Sequence, residues 1–197
     1  NKNRVIRLKD EGRGGPESKT WSMAFDGATG KQAWSTKRET GATWASPILA
    51  MTTAGPQIIC PAEWSIAYEP DFGTELWRVE GISGEIAPSP AYAHGKAYFT
   101  NEYSICMAVK VDGTGDVGET HVVWEAEEGA ADTASPIATD EFFVQVHSSG
   151  QITCYDAQKG PEGKLLWTHD MEADTIYASL IAVGDVVYMF GEEGNVF

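Results

Sequence analysis

Four tryptophans, Trp34, Trp77, Trp124 and Trp167, recur at intervals of 43, 47 and 43 residues. A chain that repeats itself at such a period is built from stacked supersecondary units, each unable to bury its own apolar face alone. A second column runs in step. Ser46-Pro47, Ser89-Pro90, Ser135-Pro136 and Ser179-Leu180 are spaced by 43, 46 and 44 residues. Two columns of unlike residues that share one period make coincidence a poor explanation.

Each period reads in the same order. The Ser-Pro step leads into a short apolar run, such as Ile48-Leu49-Ala50 or Ala91-Tyr92-Ala93. A turn and a β-rich run follow, such as Lys96-Ala97-Tyr98-Phe99 or Phe142-Phe143-Val144-Gln145-Val146. A third run, such as Ile152-Thr153-Cys154-Tyr155, precedes a fourth that ends on the tryptophan, such as Glu75-Leu76-Trp77. No apolar stripe of helical period and length intervenes. Four antiparallel strands per 40-odd residues is one blade of a β-propeller, so the fold class is all-β, a propeller of four-stranded antiparallel blades.

The turn before the tryptophan carries the sharpest motif. Ala24-Phe25-Asp26-Gly27-Ala28-Thr29-Gly30-Lys31-Gln32-Ala33-Trp34 fits A-x-D-x-x-T-G-K-x-x-W in full. Asp26 suits an Asx turn, its carboxylate accepting backbone N–H groups two residues on. Gly30 suits the positive-φ position of a bulged hairpin loop. Trp34, Trp77, Trp124 and Trp167 are expected to dock on the neighbouring blade, each burying ~150–250 Å². The other copies depart from the motif in particular ways. Ala67 to Trp77 keeps the spacing with Glu69 for the aspartate and Phe72 for the threonine. Cys154 to Trp167 keeps Asp156 and Gly160 around an insertion at Pro161-Glu162-Gly163, and Ala108 to Trp124 has Lys110 in the acidic column and a longer hairpin.

This repeat resembles the pyrroloquinoline-quinone-like (PQQ-like) β-propeller superfamily. That superfamily includes quinoprotein alcohol dehydrogenases, the propeller lipoprotein of the outer-membrane barrel assembly machinery and many exported bacterial propellers. The resemblance runs along nearly the whole chain and is specific for fold, while one propeller hosts many activities. WD-repeat propellers share the period, but Ser35, Arg78, Glu125 and Thr168 follow the tryptophans here, never Asp. The resemblance implies a ring of seven or eight blades. About four to five are expected in this chain: a partial blade over 1–40, full blades over 41–80, 84–127 and 131–170, and a partial blade over 175–197. On that count the chain is a segment of a larger propeller, or a half-ring completed by a second copy.

The resemblance to quinoproteins carries specific requirements: an adjacent Cys-Cys pair, calcium ligands and a catalytic aspartate. Cys60, Cys106 and Cys154 are far apart in apolar runs and read as buried small hydrophobes. Asp112-Gly113-Thr114-Gly115-Asp116 fails as a calcium loop, because an EF-hand needs Gly at position 6 and Glu at 12, where Val117 and Val123 stand. The histidines, His94, His121, His147 and His169, show no paired zinc spacing. No cofactor and no metal site is therefore expected from sequence, and PQQ with calcium stays an alternative resting on the resemblance alone.

Net charge is −15, and residues 21–197 hold −18 of it against +3 in the first twenty. So acidic a chain repels a phosphate backbone, and no nucleic acid is expected as a partner. No eighteen-residue apolar stretch exists, so no transmembrane helix is expected either.

Ligands of propellers meet the loops of one face and the mouth of the axial channel. Blade-to-blade connections bring Arg38, Trp44, Asp132, Asp174 and Tyr177 there, and turns between second and third strands bring Glu63, Glu102 and His147. This acidic and aromatic rim suits a protein or peptide partner, or a small ligand at the channel. The expected function is a non-catalytic binding or scaffold propeller, periplasmic or at the cell surface. The alternatives are a quinoprotein oxidoreductase and a carbohydrate-active propeller with paired rim carboxylates.

Overall fold

The computed structural model describes residues 3–158, 165–171 and 175–197. Its strands fall into five separate sheets in chain order. The first holds β1 (Arg4–Lys9), β2 (Thr20–Asp26) and β3 (Gln32–Arg38). The second holds β4 (Ile48–Thr52), β5 (Gly55–Cys60), β6 (Trp64–Tyr68) and β7 (Glu75–Glu80). The third holds β8 (Ala91–Ala93), β9 (Lys96–Thr100), β10 (Cys106–Lys110) and β12 (Val122–Ala126). The fourth holds β13 (Ile137–Ala138), β14 (Phe142–Val146), β15 (Gln151–Asp156) and β16 (Leu165–Asp170). β17 (Ile181–Val183) and β18 (Val186–Tyr188) form the fifth. Every pairing inside a blade is antiparallel and between consecutive strands. The all-β blade architecture expected from the repeat is the one observed.

Register explains the motif. The tryptophans of the first three blades stand opposite small buried residues: Trp34 across from Ala24, Trp77 from Ala67, Trp124 from Ala108. Trp167 stands across from Cys154. In all four copies a register shift, the mark of a β-bulge, falls immediately after that small residue. An alanine or cysteine there leaves room for an indole beside it, and the bulge twists the hairpin.

The serine column also has a structural task. The backbone N–H of Ser46 donates to Ser89 Oγ at 3.0 Å, that of Ser89 to Ser135 Oγ at 3.1 Å, and that of Ser135 to Ser179 Oγ at 3.2 Å. The second, third and fourth blades thus each hand one hydrogen bond to the next, just before the proline that lacks a donor of its own.

The longer hairpin between β10 and β12 is more than a surface insertion. Its residues Gly115–Asp116 form β11, which pairs in parallel with β7 of the preceding blade. A single helical turn, α1 (Gly118–His121), follows. Val117 N–H donates to Arg78 O at 2.9 Å and its side chain is buried against the second blade. The third blade therefore covers the outer edge of the second, an edge otherwise open to stray pairing.

The tryptophans fix neighbouring blades together in different ways. Trp34 Nε1 donates to Pro70 O of the second blade at 2.9 Å, and its ring lies against Gly73. Trp77 Nε1 donates to Gln57 Oε1, whose amide nitrogen donates to Val111 O of the third blade, both at 2.9 Å. Trp124 stacks on Tyr155 of the fourth blade at 5.4 Å between centroids, with Phe143 tilted beside it. Trp167 is 46% exposed, against 8% or less for the other three.

Candidate functional site

Turns between second and third strands, and the connections from blade to blade, open on one face. Three rim residues named from sequence meet there. Glu102 sits in the turn after β9, Asp132 in the connection from the third blade to the fourth, and His147 directly after β14. His147 Nε2 lies 3.1 Å from Glu102 Oε1 and 4.0 Å from Asp132 Oδ2. Their ligand-type atoms all fall within 4.8 Å of one another, the single such group of three among the described residues.

Each member is held by its own loop. Asn101 Nδ2 donates to Ser83 O at 2.6 Å, which fixes the turn that presents Glu102. Ala131 N–H donates to Thr100 Oγ1 at 2.9 Å, tying the Asp132 connection to β9. The Ser148 N–H donates to Asp132 Oδ1 at 2.9 Å, which leaves Oδ2 turned to the histidine. Ser149 N–H donates to His147 Nδ1 at 3.1 Å, and Ser149 Oγ lies 2.8 Å from the same nitrogen. With Nδ1 accepting, the hydrogen of the neutral ring sits on Nε2 and points at Glu102. Beside them Tyr103 is 95% exposed at φ 60°. A hydrogen bond to the Glu102 carboxylate, then its charge, pushes the Tyr103 phenol above its ordinary range.

The other rim residues lie apart from this group. Trp44 and Tyr177 are exposed, as is Glu63. Trp44 lines a cleft of about 520 Å³ with β1 residues from Ile6 to Lys9 and with Asp10. Asp174 lies outside the described residues, as does Gly160. Arg38 corrects the sequence expectation. It is fully buried, with Nη1 3.0 Å from Asp10 Oδ1 and Nη2 3.4 Å from Pro61 O. Burial pushes the Asp10 carboxyl up, opposed by the charge of Arg38 and a hydrogen bond from Thr43 N–H. Arg38 closes the last strand of a blade, and a period count places it at the rim without showing that Asp10, from another loop, draws it inward. Asp10 and the two serines beside His147 carry no signal in the sequence.

The turn residues take the places their motif implies. Asp26 Oδ1 accepts from Thr29 Oγ1 at 2.8 Å and from the N–H groups of Thr29 and Ala28 at 2.9 and 3.2 Å. Gly30 has φ +68°. Glu69 replaces the aspartate with its longer arm, Oε1 accepting from Asp71 N–H and Oε2 from Phe72 N–H. Asp156 Oδ1 accepts from Gln158 N–H at 2.9 Å. The cysteines are free and buried in three different blades, and burial pushes each thiol up to about 11. Such thiols stay protonated near neutral pH and are poor nucleophiles.

These blades, their bulged tryptophan hairpins and their loop face define a PQQ-like β-propeller. The family described as outer membrane protein assembly factor BamB matches residues 18–161, and the chain belongs to that family. No curated protein matches it in sequence. Among solved structures it resembles BamB from Moraxella catarrhalis, with a TM-score of 0.68 and 12% identity over 98% of this chain and 53% of that one. It also resembles two computationally designed proteins. Ika8 has a TM-score of 0.71 and 15% identity over 100% of this chain and 55% of that one. Ika4 has a TM-score of 0.63 and 14% identity over 86% of this chain and 97% of that one. The chain thus spans about half the length of the first two, and at these identities the likeness is one of fold.

Proposed function

We propose that the chain belongs to a non-catalytic scaffold propeller that engages a protein partner through its loop face, in the periplasm, as part of outer membrane protein assembly. The observation that carries this reading is the exposure of large aromatics on that face. Trp44, Tyr103 and Tyr177 are 69%, 95% and 54% exposed, beside Glu63, Glu102 and Asp132. Aromatic anchors within a polar rim are the composition of protein interfaces. The family description supports the process, and a protein acting on an outer membrane from within works in the periplasm.

Site-specific photocrosslinking in the native host tests it. A photoreactive residue replaces Trp44 or Tyr177 on the loop face, and Ala54 or Asp140 in turns of the opposite face. Crosslinks to a component of outer membrane assembly from the first pair, and not the second, are expected. Equal crosslinking from both faces, or none from the loop face, overturns the reading.

A further inference from the structure

We propose that Glu102, Asp132 and His147 form a site for one divalent transition cation of the zinc class, held between the third and fourth blades. Imidazole nitrogen with two carboxylates is a donor set that such cations take. Calcium, which wants six to eight oxygens, fits it poorly. Tetrahedral ligands at ~2.0–2.1 Å from zinc stand roughly 3.3 Å apart. The present separations from His147 Nε2, 3.1 Å to Glu102 and 4.0 Å to Asp132, lie within a small side-chain adjustment of that value.

Three further features fit a cation. Two carboxylates share one imidazole, and among the described residues neither forms an ion pair with a Lys or Arg. Two of the three ligands are oriented through the atom that faces away from the centre, Asp132 Oδ1 by Ser148 N–H and His147 Nδ1 by Ser149. Binding at Nε2 calls for the other tautomer, with the hydrogen on Nδ1; Ser149 Oγ at 2.8 Å is placed to accept it, and the Ser149 N–H that donates to Nδ1 in the metal-free protein must turn away. The three loops come from two blades, so a bound ion would cross-link them. Three protein ligands leave one position open to solvent or to a partner's side chain.

The test uses the untagged 197-residue protein, stripped with chelator and titrated calorimetrically with Zn²⁺. One equivalent is expected to bind. His147→Ala should weaken it at least ~100-fold, and Ser149→Ala, which removes an orienting partner, by roughly 10-fold. Glu102→Gln keeps the side chain's shape and should weaken binding with the metal-free unfolding curve unchanged. His94→Ala and His121→Ala, on other loops, should leave it intact. Co²⁺ in the same site should give visible absorption of four- or five-coordinate strength. Absence of stoichiometric uptake, or uptake that survives His147→Ala, overturns the proposal. Uptake needs no partner protein, so this result and the crosslinking result stand or fall separately.

Discussion

The backbone N–H of Ser46 donates to the hydroxyl of Ser89 one blade further on, at 3.0 Å. The same bond recurs from Ser89 to Ser135 and from Ser135 to Ser179. Ser89→Ala removes the acceptor and leaves the exposed Ser46 N–H to water, a loss of about 0.5 kcal/mol. Ser46→Ala should cost less, because the Ser46 hydroxyl receives no such bond among the described residues. Urea unfolding of the two variants measures the difference.

Gly73 separates packing from backbone strain. It has φ +70°, and a Cβ there would lie 2.4 Å from Trp34 Cε3. Gly30 has φ +68° with nothing within 4 Å of the same position. Gly30→Ala should cost about 1–2 kcal/mol, the left-handed conformation alone. Gly73→Ala adds overpacking against the indole and should cost roughly 2–4 kcal/mol. Equal losses would mean the Trp34 contact is looser than it stands.

The tryptophans should differ in worth. Trp124, 1% exposed within a cluster of Tyr98, Phe143 and Tyr155, should cost ~3–5 kcal/mol on truncation to alanine. Trp167, 46% exposed, should cost under ~1 kcal/mol in this chain. Paired denaturation curves decide the matter.

Asp26 supplies a pH dependence. Hydrogen bonds from the Thr29 side chain, then the Thr29 backbone, hold its carboxyl below the ordinary 3.8. A carboxylate depressed in the folded state stabilises fully above its unfolded pKa, and that contribution is lost as pH falls through the folded value. Wild-type thermal stability should therefore fall more steeply than that of Asp26→Asn between about pH 4 and pH 2. Parallel curves would show that the turn does not depend on the charge.

Much of the architecture was legible because it is local. The alanine before the bulge, the aspartate of the turn and the glycine at positive φ sit within a dozen residues of their tryptophan, so one hairpin writes its own pattern. The exchange of β11 onto β7 was not legible, since Gly115–Asp116 reads as any glycine-rich turn until the edge of another blade is beside it. Arg38 was misplaced for the same reason: its partner Asp10 is 28 residues away in a loop with no pattern of its own.

The candidate site shows where the boundary lies. Sequence alone determined the period, the order of strands, and that Glu102, Asp132 and His147 belong to loops of one face, because strand alternation and turn chemistry are properties of neighbouring residues. Only the tertiary structure decided that these three meet while Trp44 and Glu63 stay apart. They are separated by 30 and 15 residues along the chain, and no zinc spacing relates them. Their approach is set by how closely the third and fourth blades pack, through Trp124 on Tyr155 and Phe143, and by the hydrogen bonds that pin each loop. Distances of a few ångströms between loops are the outcome of that packing, which no local pattern encodes.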